Sequence, residues 1–263
     1  MRLVLPLLLW MLLPVTLLGQ SLWRVPYQPS QVVLETIVPQ YETDQFEGGT
    51  GAAFLTGTFM LSSNLEGVVE LPLARATAPS TSSTALGNPY VGVGIASTTM
   101  PFLVEVGARL PLGGDTVARE AVTGITDPGR TSAFGRNERS ASALVNVGLF
   151  LWPNTSLRLR GGGSYAIFDK PAGDIDRDVR LHYGAQLWRN GEFLIIGLTF
   201  TGTAIPWDAG SYGANSRHHL GATTLLDVDP IAVGPLVGVS LDTVVRDVAP
   251  YFVGLTLSIN YND

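Results

Sequence analysis

The chain has 263 residues and a mass of 28.0 kDa, with 46% hydrophobic and 14% charged residues, 30 Gly, 17 Pro and no Cys. Soluble domains average ~25% charged residues and ~7% Gly, so this chain is short of charge and rich in glycine. Those figures exclude a disordered chain. The missing cysteine excludes a disulfide framework, a thiolate nucleophile and a Cys-ligated metal. With 16 Lys+Arg against 22 Asp+Glu, a net charge of −6 and a pI near 5.0, it has no basic surface for nucleic acid.

In chain order, Met1-Arg2 is a short positive start, followed by an apolar run from Leu3 to Leu18 that Pro6 and Pro14 interrupt. Polar Gly19-Gln20-Ser21 comes next, so residues 1–20 read as a secretory signal peptide cut near residues 19–20. A retained helix is the weaker reading, because about 16 residues fall short of the ~20 needed to span a bilayer. Residues 21–263 then form one domain, in which apolar and small polar residues alternate. From Tyr251 to Tyr261 the odd positions are Tyr, Val, Leu, Leu, Ile and Tyr, and the even positions are Phe, Gly, Thr, Ser and Asn. Thr155–Ile167 and Val179–Leu187 repeat the scheme, which is the pattern of strands with two unlike faces.

The alternation predicts about twelve strands, near 30–40, 51–62, 66–76, 88–97, 101–112, 140–152, 155–168, 177–188, 192–203, 215–227, 230–241 and 250–261. Short turns, such as Pro153-Asn154 and Asn190-Gly191, alternate with longer loops at 41–50, 77–87, 113–139, 169–176, 204–214 and 242–249. That layout predicts an all-β fold: a single antiparallel transmembrane β-barrel in a Gram-negative outer membrane, with short periplasmic turns and longer extracellular loops. A soluble sandwich would carry a Lys- and Glu-rich outer face, whereas the second face here is Gly, Ser, Thr and Asn, and the only lysine is Lys170.

With the apolar face toward lipid, the inward charged set is Glu70, Glu105, Arg109, Arg158, Arg160, Asp178, Arg180 and Arg217, with His182 and His219. Arginines outnumber acids in that set, which predicts selectivity for anionic or polar solutes. The other reading is paired charges that pack a narrow barrel shut. Tyr165, Tyr183, Tyr251 and Tyr261 are candidates for aromatic girdles at the two membrane interfaces. The segment 113–139, with Asp115, Arg119, Glu120, Asp127, Arg130, Arg136, Glu138 and Arg139, reads as a solvated extracellular loop; folding inward is the alternative.

Catalytic readings are weak. His218 and His219 are adjacent on a strand and point to opposite faces, so they cannot hold one metal ion. Ser216 and His218 share a face, as a membrane-embedded lipid hydrolase would need, but no carboxylate is evident to orient the histidine. Gly161-Gly162-Gly163 sits mid-strand without a following Lys and is no phosphate loop. Asn154-Thr155-Ser156 is explained by a tight turn rather than by glycosylation.

Three pieces carry a family resemblance: Leu65–Leu73 (LEGVVELPL), Ala85–Gly94 (ALGNPYVGVG) and Val106–Gly113 (VGARLPLG). Together they resemble the MetA-pathway of phenol degradation family of outer-membrane proteins, relatives of FadL-like transport barrels. The resemblance covers about 50 residues, and its motifs are strand and turn punctuation. Asn88 stands where the family pattern has an acid, and Leu112 where it has Thr. It implies passage of small, often hydrophobic compounds across the outer membrane. The prediction is therefore a non-enzymatic channel for small solutes without cofactor, whose partners are the outer-membrane bilayer, its assembly machinery and the solute. A closed structural or surface-interaction barrel is the alternative.

Overall fold

The computed structural model describes residue 26 and residues 30–41, 48–78, 80–96, 101–112, 117–122, 127–169, 175–206 and 216–261. The expected leader at 1–20 lies outside them. The strands are β1 (Gln31–Gln40), β2 (Gly49–Ser62), β3 (Leu65–Ala78), β4 (Thr81–Leu86), β5 (Tyr90–Ala96), β6 (Phe102–Arg109), β7 (Glu138–Trp152), β8 (Thr155–Asp169), β9 (Ile175–Asn190), β10 (Leu194–Ala204), β11 (Ser216–Val228), β12 (Ile231–Ser240) and β13 (Tyr251–Asn260). Each neighbouring pair is antiparallel, and the β1–β13 and β2–β3 pairings close the sheet into a barrel of 12 strands with β4 as an extra strand.

Each strand expected from the alternation is present. β4 is the addition: it lies within the expected loop 77–87 and pairs with the top of β3, whose lower part pairs with β5. β4 and β5 run in the same direction along β3, separated by Gly87-Asn88-Pro89. At the short-turn end, Asn154 adopts φ 64°, the left-handed conformation that Asn tolerates and a two-residue hairpin turn requires.

Alternation sorts the side chains. Val32, Leu34, Leu55, Leu71, Val91, Val106, Leu159, Leu198, Leu220, Val237 and Val253 face outward and are exposed. Soluble monomers rarely expose contiguous apolar patches above a few hundred Å²; this belt runs around the whole wall. Tyr251, which opens β13, and Tyr261, the residue after its end, bracket it, ten residues apart. That distance is about 34 Å along a strand and about 26 Å along the axis at a tilt of ~40°. An outer-membrane barrel's apolar band is ~25 Å tall.

The segment after β6 overturns the expectation of a solvated loop. A short helix, Val117–Val122, and a 3-10 turn, Pro128–Ala133, fold into the barrel from the long-loop end. Ala118, Val122, Ala133 and Phe134 are buried with Ile37, Phe54, Ala74, Leu236 and Phe252 of the wall. Phe134 meets Phe54 with ring centroids 5.7 Å apart, and burying one such side chain stabilises by about 1.5–3 kcal/mol. At the other end, Trp188, Ile195, Leu225 and Ala232 form an apolar cluster inside the wall. The lumen is thus filled at the long-loop end by an inserted segment and narrowed at the short-turn end by apolar side chains.

Candidate functional site: a plugged polar lumen

Arg130, on the 3-10 turn, is the centre of the plug. Its Nη2 lies 2.5 Å from Glu35 Oε2 and its Nε 3.2 Å from Glu70 Oε2, with the guanidinium 4.4 Å above the Phe54 ring. Glu70 also accepts from Arg109 Nη2 at 2.5 Å. These groups are buried, so each ion's desolvation is offset only by its partner. A second tie runs through Asn88, in the break between β4 and β5. Its Nδ2 donates to the carbonyls of Ser132, Gly135 and Glu138 at 3.0, 2.9 and 3.2 Å, and its Oδ1 accepts from Arg119 Nη2 at 2.8 Å. The two amide hydrogens are shared among these three carbonyls, and a carboxylate could donate to none of them, which gives a physical reason for Asn at this position. Arg180 closes the far side of the plug, donating to Glu138 Oε1 at 2.7 Å and Ser132 Oγ at 2.8 Å.

Beside the plug is a cavity of about 60 Å³, lined among others by Tyr90, Glu105, Arg109, Arg130, Ser142, Arg160, Ser164 and His182. Tyr90 lies across Gly107 and Gly92, where a Cβ on either glycine would meet its ring, and its hydroxyl donates to Glu105 Oε1 at 2.6 Å. Ser164 and His182 Nε2 share a hydrogen bond of 2.8 Å, but the other ring nitrogen is held by the Thr203 hydroxyl at 3.2 Å. A nucleophilic triad would place a carboxylate there. Below the cavity, Arg158 Nη2 and Arg160 Nε both donate to Asn146 Oδ1, at 3.1 and 2.8 Å.

Of the predicted residues, Glu70, Glu105, Arg109, Arg158, Arg180 and His219 are buried on the inner side, and Arg160, Asp178 and His182 are half-buried there. Arg217, opposite buried Thr203 in the register, is exposed at the long-loop end. The plug's ion pairs gather Glu70, Arg109 and Arg180, whereas His219 packs against the Phe252 ring. The expected excess of arginine is corrected. Buried Glu35, Glu66, Asp127 and Glu138 join Glu70 and Glu105, while the plug adds only Arg119 and Arg130. Glu35 was missed because Val33 and Ile37, its companions on the inner face of β1, are as apolar as the outer residues, so that strand has no polar side to read. The loop residues follow no period, and only their high charge could have flagged them.

On the outer face, the missing carboxylate near His218 is present after all. Asp242 Oδ1 lies 2.8 Å from His218 Nδ1, and its other oxygen accepts from the His218 backbone N–H. Tyr183 Oη takes Nε2 at 2.5 Å, so both ring nitrogens are engaged and neither meets Ser216. Of the proposed girdle, Tyr165, Tyr251 and Tyr261 are exposed on the outside, while Tyr183 serves this network. No group of three or more His, Asp or Glu among the described residues could hold a metal ion.

No family profile matches the chain, and no curated protein matches it. Solved structures do. The NanC porin shares 8% identity, with 88% of this chain covering 100% of that one at a TM-score of 0.57. The COG4313 outer membrane channel from Pseudomonas putida F1 shares 12%, covering 92% and 98% with a TM-score of 0.55. LpxR from Salmonella typhimurium shares 9%, covering 88% and 100% with a TM-score of 0.53. Identities this low establish a shared barrel fold and leave function to the site.

Proposed function

We propose that the protein is an outer-membrane channel for small polar solutes, exported by its N-terminal leader and kept nearly closed by residues 117–122 and 127–134. One observation carries this reading: a closed wall with an apolar outer belt encloses a cavity to which hydroxyl and charged side chains contribute, and at the long-loop end the closure is made by a side-chain clamp rather than by the wall itself. In hydrocarbon only a closed barrel satisfies every backbone group of a sheet, and the belt matches the bilayer in height. The NanC porin and the Pseudomonas outer membrane channel, which share this barrel fold, support such a role. Serine, threonine and arginine around the cavity favour polar solutes over the hydrophobic compounds implied by the MetA-pathway resemblance.

The test is single-channel recording of the refolded mature chain in a planar bilayer, with reversal potentials in a salt gradient. Discrete conductance steps support the channel. A folded barrel that stays silent, both as wild type and with the clamp removed, supports the closed structural barrel instead, a reading favoured by the burial of the Arg130 clamp.

A further inference from the structure

The inner wall below the cavity carries polar groups that the protein's own side chains do not use. Gln186 is 1% exposed, and neither its Nε2 nor its Oε1 has a hydrogen-bond partner. The same holds for Nε1 of Trp188, the next inward position on β9, and for Nδ2 of Asn146. The register brings these groups together: Gln186 lies opposite Arg158, and Asn146 opposite Arg160. Both guanidinium groups converge on the single Asn146 carbonyl oxygen. Buried polar groups are almost always satisfied, and each exception costs folding free energy.

The chemistry of this cluster is one-sided. The indole donates only, each guanidinium donates only, and the free end of Asn146 is its NH₂; the sole unused acceptor is Gln186 Oε1. The nearby carboxylate, Glu105, lines the cavity above this cluster; its Oε1 takes the Tyr90 hydroxyl and its Oε2 has no hydrogen-bond partner. A surplus of N–H donors beside two guanidinium groups, one of which, Arg160, also lines the cavity above, suits a ligand that is negative and accepts hydrogen bonds.

We infer that the lower lumen is a binding site for a small oxyanion, a carboxylate or a phosphate, held by Arg158, Arg160, Asn146, Gln186 and Trp188. This rests on the channel reading only in naming its solute class; binding itself needs no conduction.

The experiment is a titration of the refolded full chain in detergent with acetate or inorganic phosphate at constant ionic strength, following tryptophan emission and the thermal midpoint. Saturable changes in both are expected, and comparing the two anions separates a carboxylate site from a phosphate site. Gln186→Leu should weaken binding about tenfold or more, yet in anion-free buffer be at least as stable as wild type, because it removes an unmet amide. Gln186→Glu should supply the anion internally, raising the midpoint and removing the response to both probes. That variant keeps the test decisive where the double variant Arg158→Gln/Arg160→Gln fails to fold. No saturable response to either anion well above millimolar concentrations overturns the inference. So does a Gln186→Leu protein destabilised equally with and without anion, which would mark Gln186 as merely structural. Saturable binding with a silent bilayer record refutes the channel alone, and conductance without saturable binding refutes the anion site alone.

Discussion

Replacing Arg130 by Ala removes the charge that Glu35 and Glu70 share. Glu70 keeps Arg109 at 2.5 Å, while Arg130 is the one ion-pair partner of fully buried Glu35 among the described residues. Deleting one partner of a buried pair costs about 3–5 kcal/mol, because the other charge is left uncompensated. Most of that cost falls on the docked state of the segment, since undocking rehydrates Glu35. The docking equilibrium should therefore move by roughly two to three and a half powers of ten toward the open lumen. Two assays read the shift: open probability in a planar bilayer, and the rate of protease cleavage within 117–134 from the long-loop side. Adding Glu35→Gln to Arg130→Ala should recover part of the closure, since a neutral amide is cheaper to bury than a lone carboxylate. Unchanged open probability and protease resistance in the single variant, with only a lower global stability, would refute the clamp.

Other consequences follow from the same geometry. Asn88→Asp replaces an amide NH₂ that faces three carbonyls by lone pairs, and should lower unfolding free energy by about 2–3 kcal/mol despite the nearby Arg119, measured by urea unfolding in vesicles. Leu255→Arg, in the middle of the outer belt, should cost about 2–4 kcal/mol in a bilayer; a change near zero would place that face in water. Gly107→Ala drives a methyl group into the Tyr90 ring and should cost about 1–3 kcal/mol, with loss of the Tyr90–Glu105 hydrogen bond visible in the tyrosine ultraviolet spectrum. Arg158→Ala/Arg160→Ala should shift the reversal potential toward cations, checked in the same salt-gradient recordings.

The barrel was legible because twelve strands must each show one face to the lumen and the other outward, and a period of two survives in residues such as Val253, Leu255 and Ile259. β4 escaped because its Thr-Ser-Ser-Thr run has no unlike faces, and its ladder is fixed by β3 rather than by side-chain pattern. The plug escaped for another reason. Arg130 and Glu35 are 95 residues apart, and nothing local in a mixed-charge loop marks which of its charges will find a buried partner. The inward arginines could be placed by parity, but their balance could not be judged, because the compensating acids lie partly in that loop and partly on β1, where parity is silent. The orphaned amide of Gln186 was beyond reach for the same reason: a sequence shows which groups face inward, but not which of them fail to meet.

The join between β1 and β13 bears on the order in which the molecule is built. Thr36 and Leu255, hydrogen-bonded across it, stand 219 residues apart, and Phe252 of β13 packs among the residues that hold the inserted segment. If strands are added in chain order, the wall is still open here after β12, with the segment already made and Glu35 and Glu70 waiting beside it. β13 then works as a latch, shutting the segment inside as it zips onto β1. A chain that ends before Tyr251 has no latch: β1 and β12 are left with bare edges, which only another strand can satisfy. Enclosing the inserted segment and hiding the last open edges of the sheet are thus one and the same step.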